Sequence, residues 1–580
     1  MIISEDVGLA PSGRSAERGQ MLVVGCIIAL VFVSLLTRFQ TTTNVVLPFY
    51  LLAVDPTAFL QDLEIRNSVI PENSPLIAML LRLGGPAIHA PGWSVGLFLL
   101  TALVNVFFVI RIGRDAFGLT RAEQLLGFVA ILIFADYKFG QYLQLSAVPD
   151  TATPGALAVS LRWAFVYFLL MRRDGAALAC LSMTALIAAK AAWPCYLLYV
   201  ICLGLQWRQG ARTGRDMVRL AGLVALSAVP FLLAKLLLSS GGDPAADCAG
   251  CAREIYDNIR WSFPREDVPY ALPFSGILLF VILAGIGLRA WRGDADRMRT
   301  SVLHAALILN VAIYLLGALY FGWIEDHLFS PFIVLMSPYR GMEAGFLILL
   351  IFVAAHISRM QAISPLAWAL LVVGLALFAT DMSRVAWFGI LCLGLATVIE
   401  LLRRRPDTVP ARAIARLQPS RIGLAVLITV FLSGYSVYKF RLPDFWRTSD
   451  NVLAYPSLPA ELDGFRGGPH FDPDKRYMIV VRENGQWVHR WQWNLLLGLS
   501  RSRGNVYYIL DVDVARRIQE QNRVSQDLLD RLDSGQPVDA AQSAQARDHD
   551  IVFIVPSGAA GQFRGMEIID LTPSWVLARP

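Results

Sequence analysis

The sequence predicts an α-helical polytopic membrane protein with about thirteen transmembrane helices and a small C-terminal α/β domain. Composition gives the first indication: of 580 residues, 56% are hydrophobic and only 17% are charged, far from soluble averages. Apolar windows give the second, because a span needs about 20 such residues. Hydropathy gives the third, falling to soluble character near Arg441 and staying there to Pro580.

Strong windows lie at 20–37, 93–110, 217–238, 301–323, 340–358, 384–402 and 420–438. Shorter or weaker ones lie at 122–136, 153–171, 273–290 and 363–380. The run from Ala176 to Leu205 is too long for one ordinary span and is interrupted at Lys190-Ala191-Ala192-Trp193-Pro194. Two short spans turning near Lys190 bring the total to thirteen, whereas one long tilted helix gives twelve. No small-residue cleavage site follows the first window, so it reads as an uncleaved anchor.

Charge tests the count. With thirteen spans and a cytoplasmic N-terminus, the clusters Arg111/Arg114/Arg121, Arg172/Arg173, Arg208/Arg212/Arg215/Arg219, Arg289/Arg292/Arg297/Arg299 and Arg403/Arg404/Arg405/Arg412/Arg416/Arg421 all fall inside. The opposite connections, near 39–92, 137–152, 239–272 and 324–339, are mostly longer, acid-bearing and sparser in Lys and Arg, as the positive-inside rule expects. The net charge of +6 is thus mostly a topology signal and gives no reason to expect nucleic acid. A bacterial inner membrane fits the compact loops.

Two domains follow: residues 1–440 in the membrane, with the large first external loop 39–92, and 441–580 as a soluble extracytoplasmic unit. The soluble part reads as a strand at Tyr477–Val481, a Trp-rich helix around Trp487–Leu497 and a strand at Val506–Leu510. A helix at Val512–Leu532, a flexible loop Asp533–Asp550, a strand Ile551–Val555 and a last strand around Glu567–Leu571 complete it. Strands alternating with helices predict an α/β layer. Five cysteines lie in apolar helices, where a thiol is a small hydrophobe. Cys248 and Cys251 stand in an external Cys-Ala-Gly-Cys, either a disulfide or an exposed thiol pair.

Chemistry concentrates in the first external loop. Asp55, Asp62 and Glu64 follow the first span, and charges close to hydrocarbon are costly enough to suggest function. Asp62 and Glu64 can share a divalent cation, or divide base and metal-ligand roles; the alternative is a solvated loop with capping acids. The flanking apolar stretches Val45–Leu52 and Pro75–Leu83 can lie as helices in the interface. No P-loop, G-x-G-x-x-G or H-E-x-x-H occurs, so no nucleotide or zinc-hydrolase motif claims the chain.

The pattern Asp55-Pro56-x-x-Phe59-x-x-Asp62-x-Glu64, followed by Pro75-Leu76, together with many spans and a soluble C-terminal domain, resembles the GT-C superfamily of membrane glycosyltransferases. The resemblance covers the layout of the whole chain, with its sequence-specific part confined to 55–76. It implies that a first-loop carboxylate is base or metal ligand (Mg or Mn), and that the donor is a sugar on a polyprenyl phosphate. The acceptor would be a lipid, a glycan or a protein on the external face.

A lipid phosphate suits an external transferase, since it can carry a sugar made in the cytoplasm across the bilayer. Its phosphate needs cations, for which Lys138, Lys190, Arg260, Arg265 and Arg340 are candidates. Arg340, in Ser337-Pro338-Tyr339-Arg340-Gly341, is the best placed, because a guanidinium at headgroup level grips phosphate bidentately. Lys190 beside Trp193 is also readable as an interfacial anchor, Asp150 as a third metal carboxylate or a helix cap, and His327 beside Glu325 and Asp326 as a ligand or a solvated cap. Arg260-Trp261-Ser262-Phe263-Pro264-Arg265 can stack on sugar or be plain surface. Two rival readings stand: a polysaccharide or lipid transporter or flippase, and a noncatalytic envelope-polysaccharide assembly factor.

Overall fold

A computed structural model describes residues 13–38, 91–135, 146–148, 154–238, 274–292, 296–324, 341–360, 362–379, 384–403, 420–440, 458–483, 485–490 and 512–580, with single positions 58, 76, 327, 493, 494, 497 and 499. Among these residues thirteen apolar helices precede the soluble part. They are α1 (Gly13–Arg38), α2 (Pro91–Arg111), α3 (Ala122–Phe134), α4 (Pro154–Leu170), α5 (Asp174–Ile187), α6 (Ala189–Arg208) and α7 (Gly214–Leu238). Then come α8 (Phe274–Ala290), α9 (Arg297–Leu319), α10 (Met342–Arg359), α11 (Pro365–Phe378), α12 (Arg384–Arg403) and α13 (Arg421–Phe440). Six of the described helices are by themselves long and apolar enough to cross a membrane. The predicted fold class, a polytopic helical bundle followed by a small α/β domain, is what the structure shows.

The run 176–205 is two helices. Ala188 is extended between α5 and α6, with φ −156° and ψ 92°. The pair is a hairpin, because Asp174 at the start of α5 accepts from Tyr199 of α6 at 2.9 Å and from Arg212 beyond it at 3.0 Å. A single tilted helix would hold those groups far apart.

Hydrogen bonds gather the arginines at one end of the bundle. Arg111 and Asp115, just past α2, meet Tyr167 of α4 at 3.2 and 2.9 Å. Arg172 reaches Asp296 before α9, and Arg297 donates to the Gln209 carbonyl beyond α6 at 3.3 Å. Arg359, closing α10, donates to the Phe117 carbonyl; with Arg299 it lies over the Phe117 and Trp291 rings. Parity holds to the last helix: Gly19 of α1 lies against Ile422 of α13, and Thr37 bonds Ser436 at 2.6 Å. Helices α1 and α13 therefore run parallel, so the chain enters the bundle at the basic end and leaves it at the opposite end.

Helix α10 is the hub, buried along nearly its whole length, from Met342 to Ser358. It packs against α3, α6, α8, α9 and α11. Helices α11 and α12 approach through glycines: a Cβ on Gly389 would lie 2.5 Å from the Phe378 nitrogen and 2.7 Å from the Gly374 carbonyl oxygen. Small residues let helix backbones meet where no water drives them together.

Among the described residues the soluble domain holds a five-stranded sheet, with β1 (Arg476–Glu483), β2 (Gln486–His489), β3 (Ile551–Pro556), β4 (Glu567–Thr572) and β5 (Trp575–Arg579) in the order β2-β1-β3-β5-β4. Only β1 and β3 pair in parallel, as their long connection through α14 (Val512–Asp533) and α15 (Ala540–Asp548) permits. Alternate residues feed two cores. Met478, Val480 and Phe553 meet Val524, Leu528 and Leu532 of α14. Tyr477, Ile479 and Ile554 meet Phe465, Trp493 and Trp575 on the other face.

Three sequence expectations in this domain are corrected. Trp487 lies in β2 and not in the expected Trp-rich helix, its ring packing on Phe563, whereas Trp493 and Asn494, from the later part of that expected helix, are helical. The expected loop 533–550 contains α15, opened by Asp539, whose carboxylate accepts from the Ala541 and Gln542 amides while Gln542 bonds back to the Asp539 amide. Strand β4 is followed by β5, which takes the interior place between β3 and β4. The expected strand 506–510 lies outside the described residues.

Candidate functional site

The start of α10 carries the most unusual chemistry of the described bundle. Glu343 stands in its first turn, fully buried, and meets Arg162 of α4, itself 4% exposed, at 3.1 Å, with a second contact of 3.5 Å. An isolated charge inside a membrane protein costs several kcal/mol or more, so such residues pair with one another and mark functional regions. The carboxylate also lies where the positive end of the α10 dipole favours it.

Glycine spacing lets neighbours close on the same turn. A Cβ at Gly341 would lie 2.7 Å from both the Trp193 ring and the Ile313 side chain, and one at Gly345 would lie 2.5 Å from the Asn310 amide. Asn310 is buried, and neither its amide nitrogen nor its oxygen has a hydrogen-bond partner among the described residues. Residues 341, 343 and 345 thus dock against α6 and α9, α4, and α9 respectively.

A second irregularity lies beside α2 and α3. Ser146–Val148 is buried and non-helical, a conformation tolerated at depth only where protein or a lined cavity satisfies the backbone. Here the Ala147 amide donates to the Leu132 carbonyl at 2.9 Å, and the Ala147 carbonyl accepts from Asn105 at 2.8 Å. Ser146 donates to the Ile133 carbonyl at 2.5 Å. Pro149 and Asp150 continue this segment in the chain.

The carboxylates Asp55, Asp62, Glu64 and Asp150, and the cations Lys138, Arg260, Arg265 and Arg340, lie outside the described residues, as do Cys248 and Cys251. Lys190 belongs to the first turn of α6, one turn from Trp193, but its side chain is also outside them. His327 is exposed and near no described metal-ligand cluster. No group of three His, Cys, Asp or Glu residues able to hold a metal occurs among the described residues. Sequence reading missed Arg162, Glu343 and Asn310. Their signal was present as two charges and an amide within the apolar windows 153–171, 340–358 and 301–323.

The chain is similar to ArnT from Cupriavidus metallidurans bound to undecaprenyl phosphate, at 13% identity and a TM-score of 0.41, over 98% of both chains. The apo structure of the same protein gives 14% and 0.37 over the same shares. At these values the likeness assigns neither a family nor an activity. No family model matches the sequence, and no curated protein matches it.

Proposed function

We propose that this protein is an integral-membrane glycosyltransferase that moves a sugar from a polyprenyl-phosphate carrier to a lipid, glycan or protein acceptor. The chemistry belongs at the bundle end opposite the arginines. By the positive-inside rule the basic end is cytoplasmic, which puts the first loop and the C-terminal domain outside.

The observation that supports this reading most is the docked first turn of α10. Trp193 packs on Gly341; Lys190 belongs to the first turn of α6, one turn before Trp193, and Arg340 precedes Gly341 in the chain, so these are the two cations proposed to hold the phosphate. A helix N-terminus adds its own preference for anions. In the proposed reaction Asp62 accepts the proton of the acceptor hydroxyl, whose oxygen attacks the anomeric carbon. The bond from that carbon to the phosphate oxygen breaks, and polyprenyl phosphate leaves with its charge held by Arg340 and Lys190. Arg260 and Arg265 are further phosphate partners, and Asp55 and Glu64 support Asp62. A divalent ion, if bound by Asp62, Glu64 and Asp150, would neutralise leaving-group charge.

The test is transfer from polyprenyl-phosphate sugars in reconstituted vesicles. Asp62→Asn is expected to cut turnover by roughly 10²–10⁴-fold with donor binding and thermal stability largely kept; full activity in that variant removes the assignment. If Asp62 ligates metal instead, extra divalent cation recovers part of the activity. Arg340→Ala is expected to weaken donor use more than Arg340→Lys, by about 1.5–3 kcal/mol for a lost charged partner. Equal, unchanged turnover in both excludes Arg340. A second reading, a lipid flippase, draws on the buried Arg162–Glu343 pair, since intramembrane charges also line transport routes. Transbilayer movement of a labelled carrier lipid without any sugar transfer would favour it.

A further inference from the structure

We infer that the Arg162–Glu343 pair is a positioning element, one that fixes the first turn of α10 at the mouth of the proposed lipid-phosphate site without touching the lipid; the identity of that ligand rests on the function proposed above. Helices α4 and α10 both pack on α6 and α9, and the ion pair ties them to each other across that group. As cohesion the pair is a poor choice, because well-packed apolar side chains of similar volume hold buried positions as well or better. What ions add is direction. A guanidinium and a carboxylate meet in one geometry, whereas leucine against leucine tolerates sliding.

The surroundings make that direction count. Gly341 and Gly345 bring Trp193 and Asn310 so near that the turn has no room to rotate. Glu343 lies between them in sequence, and its partner comes from a third helix. Asn310 gives up both hydrogen bonds of its amide among the described residues, which is a cost accepted at a place where close approach matters more than satisfaction.

Replacing both charges at once, Arg162→Met with Glu343→Met, leaves neither member of the pair behind as a buried ion and substitutes apolar side chains of comparable length. Amide exchange over 341–345, thermal stability, undecaprenyl phosphate binding and donor kinetics would then be compared with the unaltered protein. The expected result is faster exchange confined to the start of α10, a melting temperature within a few degrees, lipid affinity down about tenfold, and a raised donor KM with kcat at saturation nearly unchanged. Unchanged exchange at 341–345 overturns the inference, as does acceleration throughout the bundle with a falling melting temperature, or unaltered KM and affinity despite local loosening. If the unaltered protein does not bind undecaprenyl phosphate, the proposed function falls, and the local exchange result alone decides whether the pair positions α10.

Discussion

Asn494 serves β1 with its side chain, as a neighbouring backbone would. Beyond the end of β2 its side-chain oxygen accepts from the Ile479 amide at 3.1 Å and its nitrogen donates to the Tyr477 carbonyl at 2.6 Å, so one amide side chain continues the ladder along β1. Asn494→Leu is expected to strand both backbone groups in a buried setting, at about 1–3 kcal/mol each; amide exchange at Ile479 should quicken well beyond that of Phe553 in the neighbouring strand. Equal protection at both positions would show the side-chain bonds to be dispensable. Residue-scale signals were legible only as conspicuous charges: Asp62 and Arg340 stand out because they sit beside spans, and both lie outside the described residues. Arg162 and Glu343 do not, since Arg162 is one charge in an otherwise apolar window and Glu343 stands three residues past the more conspicuous Arg340, and only the fold reveals that the two, 181 positions apart, are partners.

Helices were the easiest elements to read, because hydrocarbon demands continuous apolar runs and tolerates few exceptions. The hairpin of α5 and α6 was anticipated near Lys190, and the break falls two residues earlier at Ala188. The soluble domain was harder. Helix α15 was hidden by its Ser, Gln and Ala content, although the capping arrangement of Asp539 and Gln542 is a sequence-level start signal. Trp487 was assigned to a helix on aromatic richness, whereas pairing with Arg482 decides its strand. Glycine gives the element-scale prediction. Gly389→Ala should lower stability by about 1–3 kcal/mol through overpacking, because the atoms it meets are backbone of α11 and cannot swing aside. Gly394→Ala, in the same helix with nothing within 4 Å, should be neutral or slightly stabilising. Indistinguishable melting temperatures for the two variants would mean α11 and α12 are not held by that contact.

At the scale of the whole molecule, parity is the main result: α1 and α13 run side by side in the same direction, with the arginines gathered where both begin. A reporter active only in the cytoplasm, fused after Pro580, should therefore stay silent, while the same reporter inserted at Gly210, next to Arg212 and Arg297, should be active. Strong signal from the first fusion would reverse the assigned sidedness. The order of the sheet bears on how the molecule is made. Strand β5 occupies an interior position between β3 and β4, and β1 waits for a parallel partner 75 residues later in the chain, Arg476 pairing with Ile551. The sheet is completed only when β5, at residues 575–579, takes its interior place, so on the proposed topology its closure belongs to the far side of the membrane, after translocation, and not to the ribosome.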